Sequence, residues 1–494
     1  MHIYIPPDSQ LLQDYKKFAQ RIGLIGATNL FIGLSGLILL PILTKTMPIE
    51  EYGTYVQVTV TIGLVPSIVM LGLPYTMVRY LAAAESKEDV QEGYYSILGI
   101  TVITSGVTSI VIFLLAGPIA NALFDGRFEV TQILAAIVFL ECMNGLQFNY
   151  FRTFQQIKRY SALTFSKTLV QLTLVGAFVL LDHGIFGAMI GLLITDIILF
   201  VIMGILIVSE IDVVFPKFKN LREYLSFGLP TVPGNVSSWV VNSSDRYVIV
   251  LFLGAAYVGY YSPGHTLGNT ISMFIAPLSF MLPAVLSKYY DEGNLGTVKT
   301  ILSYSTKYFV ALTIPSIIGL TLLSKPLLTI LSTAEIAENG YLITPITALC
   351  AALFGIYTIA VQLLILQKKT RHMGFIWFIA AGVNIILNII SIPIFGLMGA
   401  ALTTLLSFLI ATVYIVHRSD MASVISIEKR FIAKCCIAAL CLGIFIISSN
   451  PQSPFGILIT ALCGGSIYAI TLFLLRGFSS EELKFFKRIV KQSS

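Results

Sequence analysis

The chain alternates between apolar runs of about twenty residues, the length that crosses a bilayer as a helix, and short polar connections. Fourteen runs qualify, centred near Phe31, Val65, Ser105, Leu140, Thr173, Ile197, Val241, Ser272, Ile314, Ala352, Ala381, Leu406, Leu440 and Leu462. The pattern predicts an all-α integral membrane protein with about 14 transmembrane helices. The seventh run, Leu229–Leu253, departs from the others because Asp245 and Arg246 sit inside it. A charge near the bilayer centre costs about 2.5–3.5 kcal/mol on insertion scales, so a partner, a wet cavity or a ligand must offset it. Asn235, Ser238, Asn242 and Asp245 follow one another at steps of 3, 4 and 3. That spacing places them on one helical face, which should meet protein or water rather than lipid.

Composition agrees: of 494 residues, 56% are hydrophobic and only 11% charged, against about 25% charged in soluble domains. Residues 1–21 are polar and lack the short apolar run of a cleavable signal, so Ile22–Leu43 is expected to be a retained anchor. Basic residues fix the orientation. With the N-terminus in the cytoplasm, 26 Lys and Arg fall on cytoplasmic connections and tails. Only Lys45, Arg127 and Lys325 fall outside, while Lys167 and Arg246 lie within spans. Both termini are then cytoplasmic. The net charge of +6 is spread over many loops and implies no nucleic-acid partner. The basic stretch Ser479–Lys491 is expected to lie on the anionic inner membrane surface. The six cysteines sit in apolar segments without metal-ligand spacing.

Parts of the chain repeat. Leu12–Phe18 matches Leu221–Phe227, and Ile185–Met189 matches Ile394–Met398, both at an offset of 209. Gln155 and Arg159 match Gln367 and Arg371 at 212, and Glu51–Tyr55 matches Tyr257–Tyr261 at 206. Each repeat holds six spans, an even number, so the halves are parallel. The expected organisation is a six-helix lobe over 1–214, a second over 215–418, and two further helices with a basic tail over 419–494. Two like bundles facing a central cavity suit a transporter, and composition and spacing alone point to a secondary transporter of a polar or amphipathic solute.

Several short motifs then occur in a telling order. Leu43-Thr44-Lys45-Thr46-Met47-Pro48 runs into Glu51-Tyr52-Gly53-Thr54-Tyr55, and Gly72-Leu73 precedes Arg79-Tyr80. Gly228-Leu229-Pro230 leads to Asp245-Arg246-Tyr247 and Val258-Gly259-Tyr260-Tyr261. Asn384, Asn388, Ile392-Pro393 and Gly396-Leu397-Met398-Gly399-Ala400-Ala401 close the series. In this order the chain resembles the polysaccharide and O-antigen repeat-unit flippases of the multidrug/oligosaccharidyl-lipid/polysaccharide exporter superfamily. The resemblance covers nearly the whole chain. It implies a rocker-like alternating-access cycle that moves a polyprenyl-(pyro)phosphate-linked oligosaccharide to the outer leaflet. It further implies cationic cavity residues that bind the lipid phosphate, no cofactor, and an H⁺ or Na⁺ gradient as driving force. Membrane lipids, and a glycan polymerase or glycosyltransferases, would be the partners.

The candidate substrate-binding residues are Arg246, Asp245, Arg79, Arg152, His265, Asn242 and Asn269. A guanidinium matches phosphate oxygens in a fork geometry, so Arg246 reads either as a phosphate ligand or as a structural partner of an acid. Neighbours on a helix point about 100° apart, so Asp245 and Arg246 are not expected simply to face each other. His265, Asn269 and Ser272 form a stripe at steps of 4 and 3. His265 reads as a proton-coupling group or as a packed, hydrogen-bonded residue. Arg79 and Arg152 end the second and fourth spans, as positive-inside anchors or as a phosphate lure. Glu141, Lys167 and Asp196 lie in the fourth, fifth and sixth spans, as a coupling-ion site or as a buried network tying three helices together. Asn29, Gln57, Gln147, Gln362, Asn384 and Asn388 are further polar positions for interhelical hydrogen bonds or sugar hydroxyls. The five clear intramembrane charges sum to −1, which sits awkwardly with a pyrophosphate ligand.

Three other readings compete. A cation-coupled multidrug exporter would share the fold. A glycan polymerase or ligase would need a large outer loop with catalytic Arg or His, and the outer connections here are short. A transport-inactive scaffold would have its cavity plugged by apolar side chains.

Overall fold

The computed structural model describes residues 8–419, 421, 429–478 and 482. The Ser479–Lys491 stretch lies outside these residues apart from Glu482. All regular structure in the described residues is helical. The long helices are α1 (Asp8–Thr46), α2 (Ile49–Val69), α4 (Lys87–Leu114), α6 (Phe128–Thr153), α7 (Ile157–Leu180) and α8 (Gly184–Ile211) in the first part of the chain. The short helices α3 (Leu73–Tyr80), α5 (Ala116–Leu123) and α9 (Leu221–Gly228) lie between or after them. Then come α10 (Val232–Leu253), α11 (Ala255–Gly268), α12 (Ile275–Asp291), α13 (Leu295–Leu331), α14 (Ala334–Gly340), α15 (Ile343–Leu366) and α16 (Arg371–Arg418). The last described helices are α17 (Lys429–Ser449) and α18 (Pro454–Leu474).

Twelve described helical segments are long and apolar enough to cross a membrane. One of them, the 48-residue α16, breaks at Gly396, whose φ of 58° and ψ of −140° are not helical. Each arm exceeds about 20 residues, the length of one crossing. The 22-residue α10 is long enough too, but its serines, asparagines and charge pair leave it more polar than the rest. The chain is thus a multi-pass membrane protein, and the described residues hold fourteen helical segments of crossing length once α16 is divided and α10 is included.

Local chemistry sets the boundaries. The second span stops where Leu71 and Gly72 take positive φ, and α3 restarts with Pro74 in its first turn, where the missing N–H costs nothing. Ser86 caps α4 by accepting from the Asp89 N–H, and Ser453 caps α18 by accepting from Gly456. The repeat also recurs in backbone geometry. Gly184 and Gly396 both have positive φ, and each opens Gly-x-x-Gly-Ala, at 184–188 and 396–400. The register at this point is therefore 212, not the 209 suggested by Ile185–Met189 and Ile394–Met398. It agrees with the match of Gln155 and Gln367.

Packing divides the chain into two units, Met1–Ser262 with Trp377–Ala400, and Pro263–Ile376 with Ala401–Ser494. The repeat boundary at 214/215 falls inside the first unit, because packing units follow contact and not sequence similarity. In the first unit, Leu73 and Met77 of α3, Ile97 of α4, Leu146 and Phe151 of α6 and Met203 of α8 form a continuous buried core. In the second, Phe431, Ala438 and Leu442 of α17 and Tyr468 of α18 pack with Leu323 of α13. The Tyr468 hydroxyl donates to the Ala311 carbonyl at 2.8 Å.

The connection after α8 is tied down. Lys87 pairs with Asp212 at 2.7 Å, and the Glu92 carboxylate accepts the backbone N–H groups of Lys217 and Lys219 at 2.8 and 3.3 Å. Four positions of the N-terminal turns of α4 thereby hold the link between the repeats, since Gln91 and Tyr95 also donate to the carbonyls of Ile211 and Asp212.

Candidate functional site

Two clusters of charge lie inside the membrane-crossing helices of the first unit. The first joins α6, α7 and α8. Lys167 donates to Glu141 at 2.6 Å and lies 3.1 Å from Asp196. Asn144, one turn from Glu141, donates to both the carbonyl and the carboxylate of Asp196 at 3.1 and 3.2 Å. Asp196 is 3% exposed in its side chain, and Lys167 and Glu141 are partly open. Two carboxylates against one ammonium leave one negative charge, an arrangement able to take up a cation or a proton. The cluster also ties three helices together. Asn144 Oδ1 and Gln147 Oε1 are buried without a hydrogen-bond partner, as are both amide atoms of Gln57 on α2. Such groups are costly unless water or a ligand meets them.

The second cluster is Asp245–Arg246. Contrary to the helical-wheel expectation, the two side chains do meet, because the long arginine stem folds back along α10. Arg246 Nη1 donates to Asp245 Oδ1 at 2.9 Å, and so does the Arg246 backbone N–H. The same Nη1 donates to the Asn242 carbonyl at 2.9 Å. Asp245 Oδ2 accepts from the Tyr261 hydroxyl at 2.6 Å, and the guanidinium lies 5.4 Å from the centre of the Tyr261 ring. Asp245 and Arg246 are 1% and 5% exposed. Next to them, Ser244 donates to Asn384, which also accepts from Asn388, both at 2.9 Å, and all three are buried. Sequence reading found these charges and asparagines but not Tyr261, whose role depends on the α10–α11 turn.

The polar stripe of α10 grades in exposure. Asp245 is buried, Asn235 and Ser238 are half-buried, and Asn242 is exposed with its side chain donating to the Ser238 carbonyl at 2.8 Å. The Tyr75 hydroxyl donates to Asn235 at 3.2 Å. Arg79 and Arg152 are both exposed, in the last turns of α3 and α6. His265 and Asn269 belong to the second packing unit, half-buried and exposed respectively. There the chain tightens into a 3₁₀ stretch, Asn269–Phe274, in which positions three apart eclipse, so Asn269 and Ser272 stay on one side. The structure therefore brings Glu141, Lys167 and Asp196 together, and Asp245, Arg246 and Asn242 together, as two separate groups.

Two carboxylates have roles that the sequence did not show. Glu51 accepts from the Ile185 N–H at 2.8 Å and pairs with Arg127 at 3.3 Å. It supplies from α2 the cap that the start of α8 lacks, at the helix end where negative charge is favoured. Glu210 accepts from Tyr150 and Gln156, both at 2.9 Å, and from Arg159. Neither role carried a local signal, because the partners lie 76 and 134 residues from Glu51 and 51 to 60 residues from Glu210. Among the described residues, no group of three or more His, Cys, Asp or Glu is placed to hold a metal ion.

Comparison with known proteins decides the family. A model of the family described as polysaccharide biosynthesis protein matches residues 18–289, more than half the chain. The chain belongs to the polysaccharide biosynthesis protein family. This bears out the resemblance read from the motifs. A MatE family model also matches this family member, over residues 230–390. Over 227 residues the chain is 24% identical to a probable low-salt glycan biosynthesis flippase, Agl15, of Haloferax volcanii, an alignment covering 46% of this chain and 48% of that protein. The chain thus spans about half the length of this relative. It is 23% identical to an uncharacterized membrane protein of Methanocaldococcus jannaschii, over 76% of this chain and 77% of the other. Among solved structures, the lipid II flippase MurJ in an inward closed conformation superposes with a TM-score of 0.75 at 18% identity, over 91% of this chain and 98% of that one. An inward-facing multidrug resistance MATE family transporter superposes with a TM-score of 0.66 at 14% identity, over 80% and 95%. This polysaccharide biosynthesis family member has the fold those transporters share.

Proposed function

We propose that the protein is a flippase that carries a polyprenyl-(pyro)phosphate-linked oligosaccharide across the cytoplasmic membrane for surface-glycan synthesis. It is a transporter and catalyses no bond-making step. The observation that carries this reading is α10. A membrane-crossing helix whose polar face runs from half-buried Asn235 and Ser238 to exposed Asn242, with its own charges paired off beside that face, suits uncharged, hydroxyl-rich cargo. Family membership and relatives named as flippases support it. The lobes 1–214 and 215–418 alternate access between the two faces of the membrane, with both termini cytoplasmic.

In this reading Arg79 and Arg152, open at helix ends on the cytoplasmic side, make first contact with the lipid phosphate. The Asp245–Arg246 pair, engaged with Tyr261, orders α10 against α11 for the sugar, with Asn242 beside it, and His265 and Asn269 are polar groups that the second packing unit offers on its own. The Glu141–Lys167–Asp196 group, one negative charge in excess, takes up the coupling ion, H⁺ rather than Na⁺, because its ammonium already fills the position of a metal cation. Glycosyltransferases or a polymerase would supply and consume the cargo.

The test is transport of labelled lipid-linked oligosaccharide in proteoliposomes under an imposed H⁺ or Na⁺ gradient. Gradient-dependent appearance of the glycan on the opposite leaflet is expected. Absence of glycan movement, together with efflux of an organic cation, would establish the exporter reading that the MatE match over residues 230–390 allows.

A further inference from the structure

The motif that repeats at an offset of 206 places Gly53 on α2 and Gly259 on α11, each four residues into its helix from Ile49 and Ala255. The two motifs pack against each other. A Cβ on Gly53 would overlap the carbonyl oxygen of Ala255 and lie 3.1 Å from the Gly259 nitrogen. A Cβ on Gly259 would lie 2.7 Å from the carbonyl oxygen of Ile49 and 2.6 Å from its Cδ1. The contact is reciprocal: each glycine receives the carbonyl of the residue that opens the other helix. Small residues allow two membrane helices to approach to backbone contact, where Cα–H groups meet carbonyl oxygens.

Each glycine rides on a separate, internally bonded block. On one side, Glu51 ties the start of α2 to Arg127 and to the Ile185 N–H. On the other, Tyr261 ties α11 to Asp245 of α10, and only Gly254, at φ 98° and with open space around its Cβ position, separates the two helices. Lower down, α2 and α10 stay joined by the Thr61 and Tyr247 hydroxyls, 2.7 Å apart. Further along, Thr76 of α3 donates to the Tyr224 carbonyl of α9 at 3.0 Å.

We propose that the Gly53–Gly259 crossing is the outer gate of the transport cavity, closed in this structure. It opens when α10 and α11 swing off α2 as one block, pivoting near Thr61–Tyr247. A seam of backbone against backbone, with the Ile49 side chain beside it, excludes water when shut. The absence of side chains at both positions therefore sets how far the closed state is favoured. The proposal rests on the cytoplasmic orientation and alternating access given above.

The test uses a version with its six native cysteines replaced and a single reporter, Asn242→Cys, on the exposed face of α10. A membrane-impermeant maleimide is applied from the outer face of oriented vesicles. Gly53→Ala and Gly259→Ala should each raise the labelling rate several-fold, whereas Gly106→Ala, where a Cβ meets nothing within 4 Å, should leave it unchanged. Unaltered labelling in both gate variants, with the proteins inserted and monodisperse, overturns the proposal. If the alanine variants do not insert, Ile49→Cys with Ala255→Cys is bridged by a short, reducible bifunctional thiosulfonate, and the same reagent on a chain with Ala255→Cys but not Ile49→Cys corrects for direct modification of the reporter thiol. Bridging should suppress outer labelling of Asn242→Cys, and reduction should restore it; labelling that ignores the bridge overturns the gate. Because labelling needs no cargo, these outcomes are independent of whether the substrate is a lipid-linked glycan.

Discussion

Replacing Arg246 by Met separates the two roles open to the buried pair. The substitution keeps the aliphatic stem and removes the guanidinium 2.9 Å from Asp245. Removing one partner of a buried ion pair typically costs about 3–5 kcal/mol, because the other charge is left behind. Asp245 would keep two donors, the Tyr261 hydroxyl at 2.6 Å and the backbone N–H of residue 246 at 2.9 Å. Hydrogen bonds to a charged group are each worth about 1.5–3 kcal/mol, so the loss should fall at the lower end, about 3 kcal/mol. That is roughly a hundredfold in the folding equilibrium, a factor of ten being about 1.4 kcal/mol. Asp245→Asn removes the charge that needs compensation, so the double variant should be more stable than the sum of the singles by about 1–3 kcal/mol. The measurement is denaturant unfolding in lipid bicelles for parent, singles and double, with transport followed in parallel. An Arg246→Met protein as stable as the parent but unable to transport would refute the reasoning, and would make the guanidinium a ligand for the cargo.

The other predictions concern the remaining charges. Lys167→Met leaves Glu141 and Asp196 without their shared cation and should cost about 3 kcal/mol or more, with Glu141→Gln in the same chain restoring a large part; thermal unfolding of the two proteins checks this. Glu141→Gln alone should retain the fold but abolish the dependence of transport on an imposed pH gradient, and a gradient dependence equal to the parent's would remove the cluster from the coupling step. Glu51→Ala should cost about 1–2 kcal/mol, the usual worth of a helix cap, and hydrogen exchange should rise first at the start of α8. Arg79→Ala and Arg152→Ala should each change stability by no more than about 0.5 kcal/mol, as exposed sites do, yet weaken binding of polyprenyl phosphate in a vesicle-binding assay.

Several features were legible because their cause is local. Apolar run length gave the crossings, including α10, which is too polar for a composition test yet plainly helical over Val232–Leu253. Charges inside such runs marked Glu141, Lys167, Asp196, Asp245 and Arg246 before any contact was known, since lipid tolerates none of them unpaired. What could not be read was pairing at a distance. Nothing near Glu51 announces that it caps a helix starting at Gly184, and nothing near Glu92 announces that it holds Lys217 and Lys219. The local rule also failed once, at Asp245 and Arg246, because the wheel describes where Cβ atoms point and not where a four-bond side chain ends. Similarly, Ile-Phe-Gly matched by letters at 209, whereas backbone φ at Gly184 and Gly396 fixes the register at 212. A glycine that turns the chain constrains the fold more than the apolar letters beside it.

The negative charge balance within the spans, awkward for a phosphate carrier when read as a sum, becomes coherent once divided by place. Asp245 and Arg246 cancel within one turn of α10, so no unpaired charge stands beside the exposed Asn242 of that helix. The excess charge resides with Glu141, Lys167 and Asp196, three helices of the first repeat joined around one ammonium. Arg79 and Arg152, both exposed, stand at helix ends rather than in the interior. A diphosphate that met a deep, unpaired guanidinium would be held too strongly to leave, because electrostatic attraction grows as water is excluded. In the function proposed above, paired charge inside and exposed arginines at helix ends let the headgroup be captured and released at the surface while the glycan crosses a neutral polar path. The arrangement predicts that adding an unpaired cation to that path, as in Asn242→Arg, tightens binding of polyprenyl phosphate and slows its transport. Faster transport in that variant would show that the interior needs more positive charge than it has.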